Sequence, residues 1–167
     1  MVVCGIDPGI SPGVVVIRGA SVLCSARLPS VLDSPDGAME LRDILERHSV
    51  SRVVIEKVGL VRGQDLAAGA RFMTSVGVIL GVSTVSGAVV TQVAPHVWKP
   101  AVFTPEELGR GLPQEKVKKH QKASAVALVT RLYPKVAMIA PRCRTPDHNI
   151  ADACCLAHWW QQTCTRE

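Results

Sequence analysis

Between Val2 and Leu28 the chain places three short apolar runs one after another, with only turn residues between them. Val2 to Ile6 closes at Asp7-Pro8-Gly9. Gly13 to Ile17 follows, then Ser21 to Leu28, with Gly19-Ala20 as a tight connection. Connections this short join antiparallel neighbours, so the chain opens as a meander of three strands. The pattern then changes. Gly37 to His48 carries Met39, Leu41, Ile44 and Leu45 at helical spacing, with Asp36 as N-cap. Arg52 to Ile55 is a β-branched strand ending at Glu56. Gly63 to Val82 reads as a long helix rich in small residues, and Ala88 to Val93 as a fifth strand. Helical crossovers connect parallel strands, so the expected architecture is α/β: a mixed five-stranded sheet with helices on both faces. Beyond it, Trp98 to Pro113 is Pro/Gly-rich and loop-like, Glu115 to Leu132 is a basic amphipathic helix, and Pro146 to Thr163 a terminal helix. A length of 167 residues without internal repeats fits one domain.

The composition, 47% apolar and 20% charged, supports a normal core and excludes a disordered chain. A net charge of +5 suits an anionic partner such as nucleic acid. The six cysteines form no C-x-x-C pair. A zinc site drawn from Cys143, His148, Cys154 or Cys155, and Cys164 matches no established spacing. With the first strand beginning at Val2, no targeting segment is expected, and the location expected is cytoplasmic, in a bacterial or phage-infected cell. The apolar stretch Val76 to Val90 falls short of a membrane span.

Three acidic residues stand where carboxylates are structurally awkward. Asp7 closes the first strand, Glu56 the fourth, and Asp152 interrupts the apolar helix segment Ile150 to Ala157. Each has an ordinary role open to it: a turn former at Asp7, a solvated strand end at Glu56, a helix residue near the positive end of the dipole at Asp152. Together they point elsewhere. If the first and fourth strands are neighbours, Asp7 and Glu56 end side by side, and the terminal helix can bring Asp152 against both. Crowded carboxylates repel, and a hard divalent cation such as Mg²⁺ relieves that repulsion. Two such ions are the usual apparatus for cutting a phosphodiester with water.

The segment Gly5-Ile6-Asp7-Pro8-Gly9-Ile10-Ser11-Pro12-Gly13 resembles the first-strand motif of RuvC-type Holliday junction resolvases. Val54-Ile55-Glu56-Lys57-Val58 resembles their second acidic strand, and Asp147-His148-Asn149-Ile150-Ala151-Asp152-Ala153 their closing acidic helix. The stretch from Gly63-Gln64 through Phe72, Gly77, Ile79 and Gly81, and Val93 to Lys99, are similar to phage and chloroplast members. The resemblance covers nearly the whole chain in order. It implies an RNase H-like fold with strand order 3-2-1-4-5. It also implies a homodimer that cuts four-way junctions by paired nicks, with Mg²⁺, or Mn²⁺ in its place, held as two ions per site by Asp7, Glu56, Asp147 and Asp152. The family's fourth ligand lies three residues before the last aspartate, where this chain has Asn149. A carboxylate suits Mg²⁺ better than an imidazole, so Asp147 is preferred and His148 is the alternative. With Thr145 as cap and Pro146 at the first helical position, His148 and Asp152 share a face; a later start frees Asp147 to turn in.

Lys116, Lys118, Lys119, His120 and Lys122 form a dense basic run, which is either a solvated helix face or a phosphate-binding one. By resemblance, Lys99 and Lys122 match the two lysines near the resolvase active site, with Lys122 able to stabilise the charged phosphate. Arg62, Arg71, Arg142 and Arg144 are further phosphate candidates, and Leu60 and Val61 candidate junction wedges. The small-residue helix is either the dimer surface or a face packed on the sheet. Two other readings remain: an RNase H-like nuclease acting on RNA–DNA hybrid or RNA, and, given Asn149, a non-catalytic junction-binding protein. A sugar-kinase-like ATPase shares the Asp-x-Gly strand but needs a longer, two-domain chain.

Overall fold

The computed structural model describes residues 1–32, 34–57, 59, 65–139 and 145–164. Leu60, Val61, Arg62, Arg142, Cys143 and Arg144, all singled out from the sequence, lie outside the described residues. The strands are β1 (Val3–Asp7), β2 (Gly13–Arg18), β3 (Ser21–Arg27), β4 (Arg52–Glu56) and β5 (Val89–Val93). They form one sheet in the order β3-β2-β1-β4-β5. The two early pairings are antiparallel, as their short connections require, and β1–β4 and β4–β5 are parallel. The expected mixed sheet is therefore the observed one.

Period-two alternation assigns each strand residue to a face. Cys4, Ile6, Val14, Val16, Val53 and Ile55 bury on one side. There they meet Leu41, Ile44 and Leu45 of α1 (Asp36–Arg47) and Ile79 of α2 (Leu66–Val85). Val3, Val15, Ile17, Val54 and Val93 bury on the other side. That face carries α3 (Pro95–Val102), α4 (Gln114–Leu132) and α5 (His148–Cys164). By the same alternation Asp7 and Glu56 share the α5 face with Val3 and Val54.

Helix α5 lies closer to β1 and β2 than a side chain would allow. A Cβ at Gly5 would collide with the Ala153 carbonyl, and one at Gly13 with the backbone of Asn149 and Ile150. Ala151, Ala153, Cys154 and Ala157 are fully buried at this contact. The small residues of the helix and the glycines of the strands thus set the height at which Asp152 meets the sheet.

Three expectations change. The segment from Trp98 is not a loop from its start: Pro95 begins α3, where its missing N–H costs nothing. The following turns are tied down by Thr104 and Glu107, each of whose side chains accepts from the other's backbone N–H, at 3.2 and 2.9 Å. They are also clamped to α4, since Gln121 donates to the Leu108 carbonyl at 3.0 Å and Ser124 to the Glu107 carbonyl at 2.9 Å. Asp36 is the first helical residue rather than the N-cap, because Ser34 Oγ accepts its N–H at 3.2 Å. The terminal helix starts at His148 and not Pro146: the Asp147 carboxylate accepts from the Asn149 N–H at 2.9 Å and so caps it.

Helix α2 buries Gly69, Ser75, Val76, Ile79 and Ser83. Its opposite side is open: Leu66 and Val85 are each 81% exposed, Met73 is exposed, and nothing lies within 4 Å of a Cβ at Gly77 or Gly81. The small residues therefore divide: Gly69 and Ser75 lie on the buried side, whereas Gly77 and Gly81 face away from the sheet. By length and composition α2 is also apolar enough to cross a membrane, with a mean hydropathy of 1.5, a test that core helices of globular proteins pass as well.

Candidate active site

β1 and β4 run parallel with Ile6 opposite Ile55, so their next residues, Asp7 and Glu56, emerge together at the carboxyl ends of the strands. Helix α5 crosses above and brings Asp152 into the same space. The electrostatics report this convergence. Asp7 is pushed up from 3.8 to about 8, first by burial, then by the charges of Asp152 and Glu56. Asp152 is pushed up to about 6, by burial first and with Glu56 contributing, while Lys99 and Lys122 hold it down. Asp7 is thus destabilised as an anion by burial and by both neighbours, and Asp152 by burial and Glu56, which is the condition a bound cation would relieve.

Glu56, Lys99, Phe103, Lys118, Gln121, Lys122 and Asp152 line a cleft of about 170 Å³. A larger hollow of about 400 Å³ lies between β3 and α1, but it faces the other side of the sheet and gathers Asp36, Glu40 and Asp43 beside Arg47 with no such convergence. Within the cleft, the Glu56 Oε1 accepts the Trp98 indole N–H at 3.0 Å. Lys99 donates to Gln121 Oε1 at 3.5 Å, and its Nζ stands 5.5 Å from the centre of the Trp98 ring.

Lys122 donates to His148 Nε2 at 2.7 Å. An ammonium has no acceptor, so Nε2 must be the unprotonated nitrogen and the imidazole neutral. Burial and the Lys122 charge accordingly lower the His148 pKa. Asp147 is committed too: one oxygen accepts from Arg27 Nη1 at 2.9 Å and the other caps α5. Both residues expected to compete for the fourth ligand position thus already have partners. Asp147 still lies within electrostatic reach of Asp7, on which it acts more weakly than Asp152 or Glu56.

Of the expected phosphate contacts, Lys99, Lys118 and Lys122 face the cleft, whereas Lys116, Lys119 and Arg71 are exposed and stand outside its lining. Trp98 and Gln121 as hydrogen-bond partners, and Arg27 as the partner of Asp147, were not foreseen. The Ala94-Pro95 step was the available signal for the helix that carries Trp98. Arg27 and Gln121 gave none.

Among the described residues, no three His, Cys, Asp or Glu side chains are close enough to enclose an ion by themselves. An all-oxygen set of this kind fits Mg²⁺, which is held by one or two carboxylates and completes its shell with water and substrate phosphate. It does not fit zinc, and the thiols of Cys154 and Cys155 are buried away among core residues.

No protein-family model matches the chain, and no curated protein matches it in sequence. Solved structures do. The Thermus thermophilus RuvC in complex with a Holliday junction substrate superposes with a TM-score of 0.66 at 20% identity, covering 99% of this chain and 97% of that one. The fowlpox virus Holliday junction resolvase superposes with a TM-score of 0.60 at 14% identity, covering 97% and 99%. The same viral resolvase with junction DNA gives a TM-score of 0.57 over 96% and 98%. Likeness at this level of identity establishes the fold: the chain has the RNase H-like architecture of RuvC-type resolvases.

Proposed function

We propose that the chain is a metal-dependent endonuclease that resolves four-way DNA junctions by paired symmetric nicks. The observation that carries this reading is the meeting of Asp7, Glu56 and Asp152 at one end of the sheet, close enough that Asp152 and Glu56 raise Asp7 and Glu56 raises Asp152, under a rim of lysines. The likeness to two resolvases, each also solved with junction DNA, supports the substrate.

Asp7, Glu56 and Asp152 would hold Mg²⁺, or Mn²⁺ in its place, with Asp147 at the edge of the set. Bound divalent metal supplies the activated water and the charge stabilisation that phosphodiester hydrolysis needs. Water adds to phosphorus and the bond to the leaving oxygen breaks. The chain's own cations do the rest. Lys99 and Lys118 draw the phosphate into the cleft. Lys122, oriented by its hydrogen bond to His148, sits where negative charge grows on the phosphate. Lys116 and Lys119 extend the basic surface along α4 and add salt-dependent affinity.

Two symmetry-related cuts call for two sites. The exposed apolar face of α2, from Leu66 through Met73, Gly77 and Gly81 to Val85, suits a two-fold contact between copies of this chain. The similarity of Val93 to Lys99, and of the stretch through Phe72, Gly77, Ile79 and Gly81, to phage and chloroplast members supports a place in that branch.

The test is cleavage of an immobile four-way junction in Mg²⁺, Mn²⁺ or Ca²⁺, with an RNA–DNA hybrid alongside and the oligomeric state measured by light scattering. Paired nicks by a dimer are expected. Preferential cutting of the hybrid, or junction binding without cutting, would replace the proposal with one of its competitors.

A further inference from the structure

Trp98 is completely buried, and the indole has one polar atom to satisfy. It satisfies it on a carboxylate: Nε1–H donates to Glu56 Oε1 at 3.0 Å. The ring is locked for this task. It packs against Phe103 in a tilted pair with centroids 6.0 Å apart and belongs to the core packed under α5. At the other end of the bond the Glu56 backbone is equally fixed, pairing with Val93 of β5 in register, with the next N–H, of Lys57, donated to the Val93 carbonyl at 2.7 Å. What remains free is the side chain of Glu56. Among the described residues Trp98 is its hydrogen-bond donor, and Oε2 has none. Phenylalanine would fill most of this core volume without the bond.

We propose that Trp98 is a positioning residue for Glu56: it holds one carboxylate oxygen so that the other faces the divalent cation shared with Asp7 and Asp152. The inference rests on the metal-dependent reading of the site. It differs from the plainer possibility that Glu56 merely satisfies a buried indole, in which case releasing Glu56 would leave metal binding intact.

Calorimetric titration of the DNA-free full chain with Mn²⁺ separates the two, using wild type, Trp98→Phe, Glu56→Gln and the double variant. Removing an outer-shell partner typically lowers metal affinity about 10–100-fold, and Trp98→Phe is expected at the lower end of that range. Because Trp98 acts through Glu56, the double variant should bind no more weakly than Glu56→Gln alone. Junction binding in EDTA should be unchanged. If Trp98→Phe binds Mn²⁺ like wild type, or if the two losses add, the role of Trp98 is overturned while the metal site stands. If the wild-type chain binds no Mn²⁺, both fall. Should Trp98→Phe fail to fold, the indole ¹H–¹⁵N resonance of Trp98 in the otherwise native chain serves instead. It should move on Glu56→Gln substitution and on Mg²⁺ addition, and a resonance unmoved by both overturns the proposal.

Discussion

Replacing Asp7 with asparagine should make the metal-free protein more stable, although it removes a residue at the centre of the proposed site. The carboxyl is raised from 3.8 to about 8, by burial first and then by Asp152 and Glu56. An acid with a raised pKa holds in the folded state a proton that the unfolded chain releases. Stability therefore falls as pH climbs from about 4 to about 8 and levels off above, where the folded protein carries the unfavourable charge outright. At about 1.36 kcal/mol per pH unit, the rise sets a ceiling of ~6 kcal/mol on the penalty at pH 8. Water entry and the desolvation of asparagine itself reduce this, so a gain of ~2–4 kcal/mol is expected for Asp7→Asn in EDTA at pH 8. Urea unfolding across pH 4–8 measures it. The gain should shrink towards pH 4, where the unfolded chain also begins to hold the proton on Asp7. Excess Mg²⁺ should stabilise the wild type, by an amount set by the ratio of ion concentration to Kd, and leave the variant nearly unmoved. Cleavage should be lost while junction binding survives. Unfolding curves that keep a constant offset between variant and wild type over this pH range, or a variant less stable at pH 8, would refute the argument that burial and its acidic neighbours destabilise the Asp7 anion in the metal-free fold.

Gly5→Ala forces a methyl group against the Ala153 carbonyl and should cost about 3 kcal/mol or more in urea unfolding, because backbone cannot yield as a side chain can. Lys122→Ala should slow single-turnover cleavage about 10²-fold while changing the Kd for junction DNA much less; equal losses would make Lys122 a phosphate anchor only. Asp147→Ala removes the cap of α5 and the Arg27 ion pair, and should cost about 1 kcal/mol of stability, most of it from the cap. Its effect on Mn²⁺ titration should be smaller than that of Asp152→Asn, and the reverse order would make Asp147 a principal ligand.

The sheet was legible because its signals are local. Tight Gly-containing connections dictate antiparallel pairing at β1 to β3, and β-branched runs between helices dictate parallel pairing at β4 and β5. Helix α3 was not, because Pro95 and Pro100 flank Trp98 and read as loop punctuation, whereas Pro95 occupies the first helical position, where proline is at home. The open face of α2 could not be decided either way from its small residues. Such residues permit close approach but do not say to what, and only the packed sheet, already covered by Ile79 and Ser83, reveals that Gly77 and Gly81 face outward.

The site divides along the same line. Asp7 and Glu56 are strand-end residues, so their adjacency follows from strand order, and Asp152 announces itself as a carboxylate in an apolar helix. Partners such as Trp98 and Arg27 lie 42 and 120 residues from the acids they bind, and no spacing rule spans that distance. Asp147 shows how fine the decision is between a ligand and a cap. Starting the helix at Pro146 would place Asp147 within the first turn, its side chain turned from the cleft. Starting at His148 makes Asp147 the residue before the helix, and the free N–H of Asn149 then takes one oxygen of its carboxylate while Arg27 takes the other, both in competition with any cation. The cap and the ion pair win in the metal-free fold because both partners are built into the protein, so a cation can recruit Asp147 only by displacing Arg27, whose side chain is half exposed and free to leave.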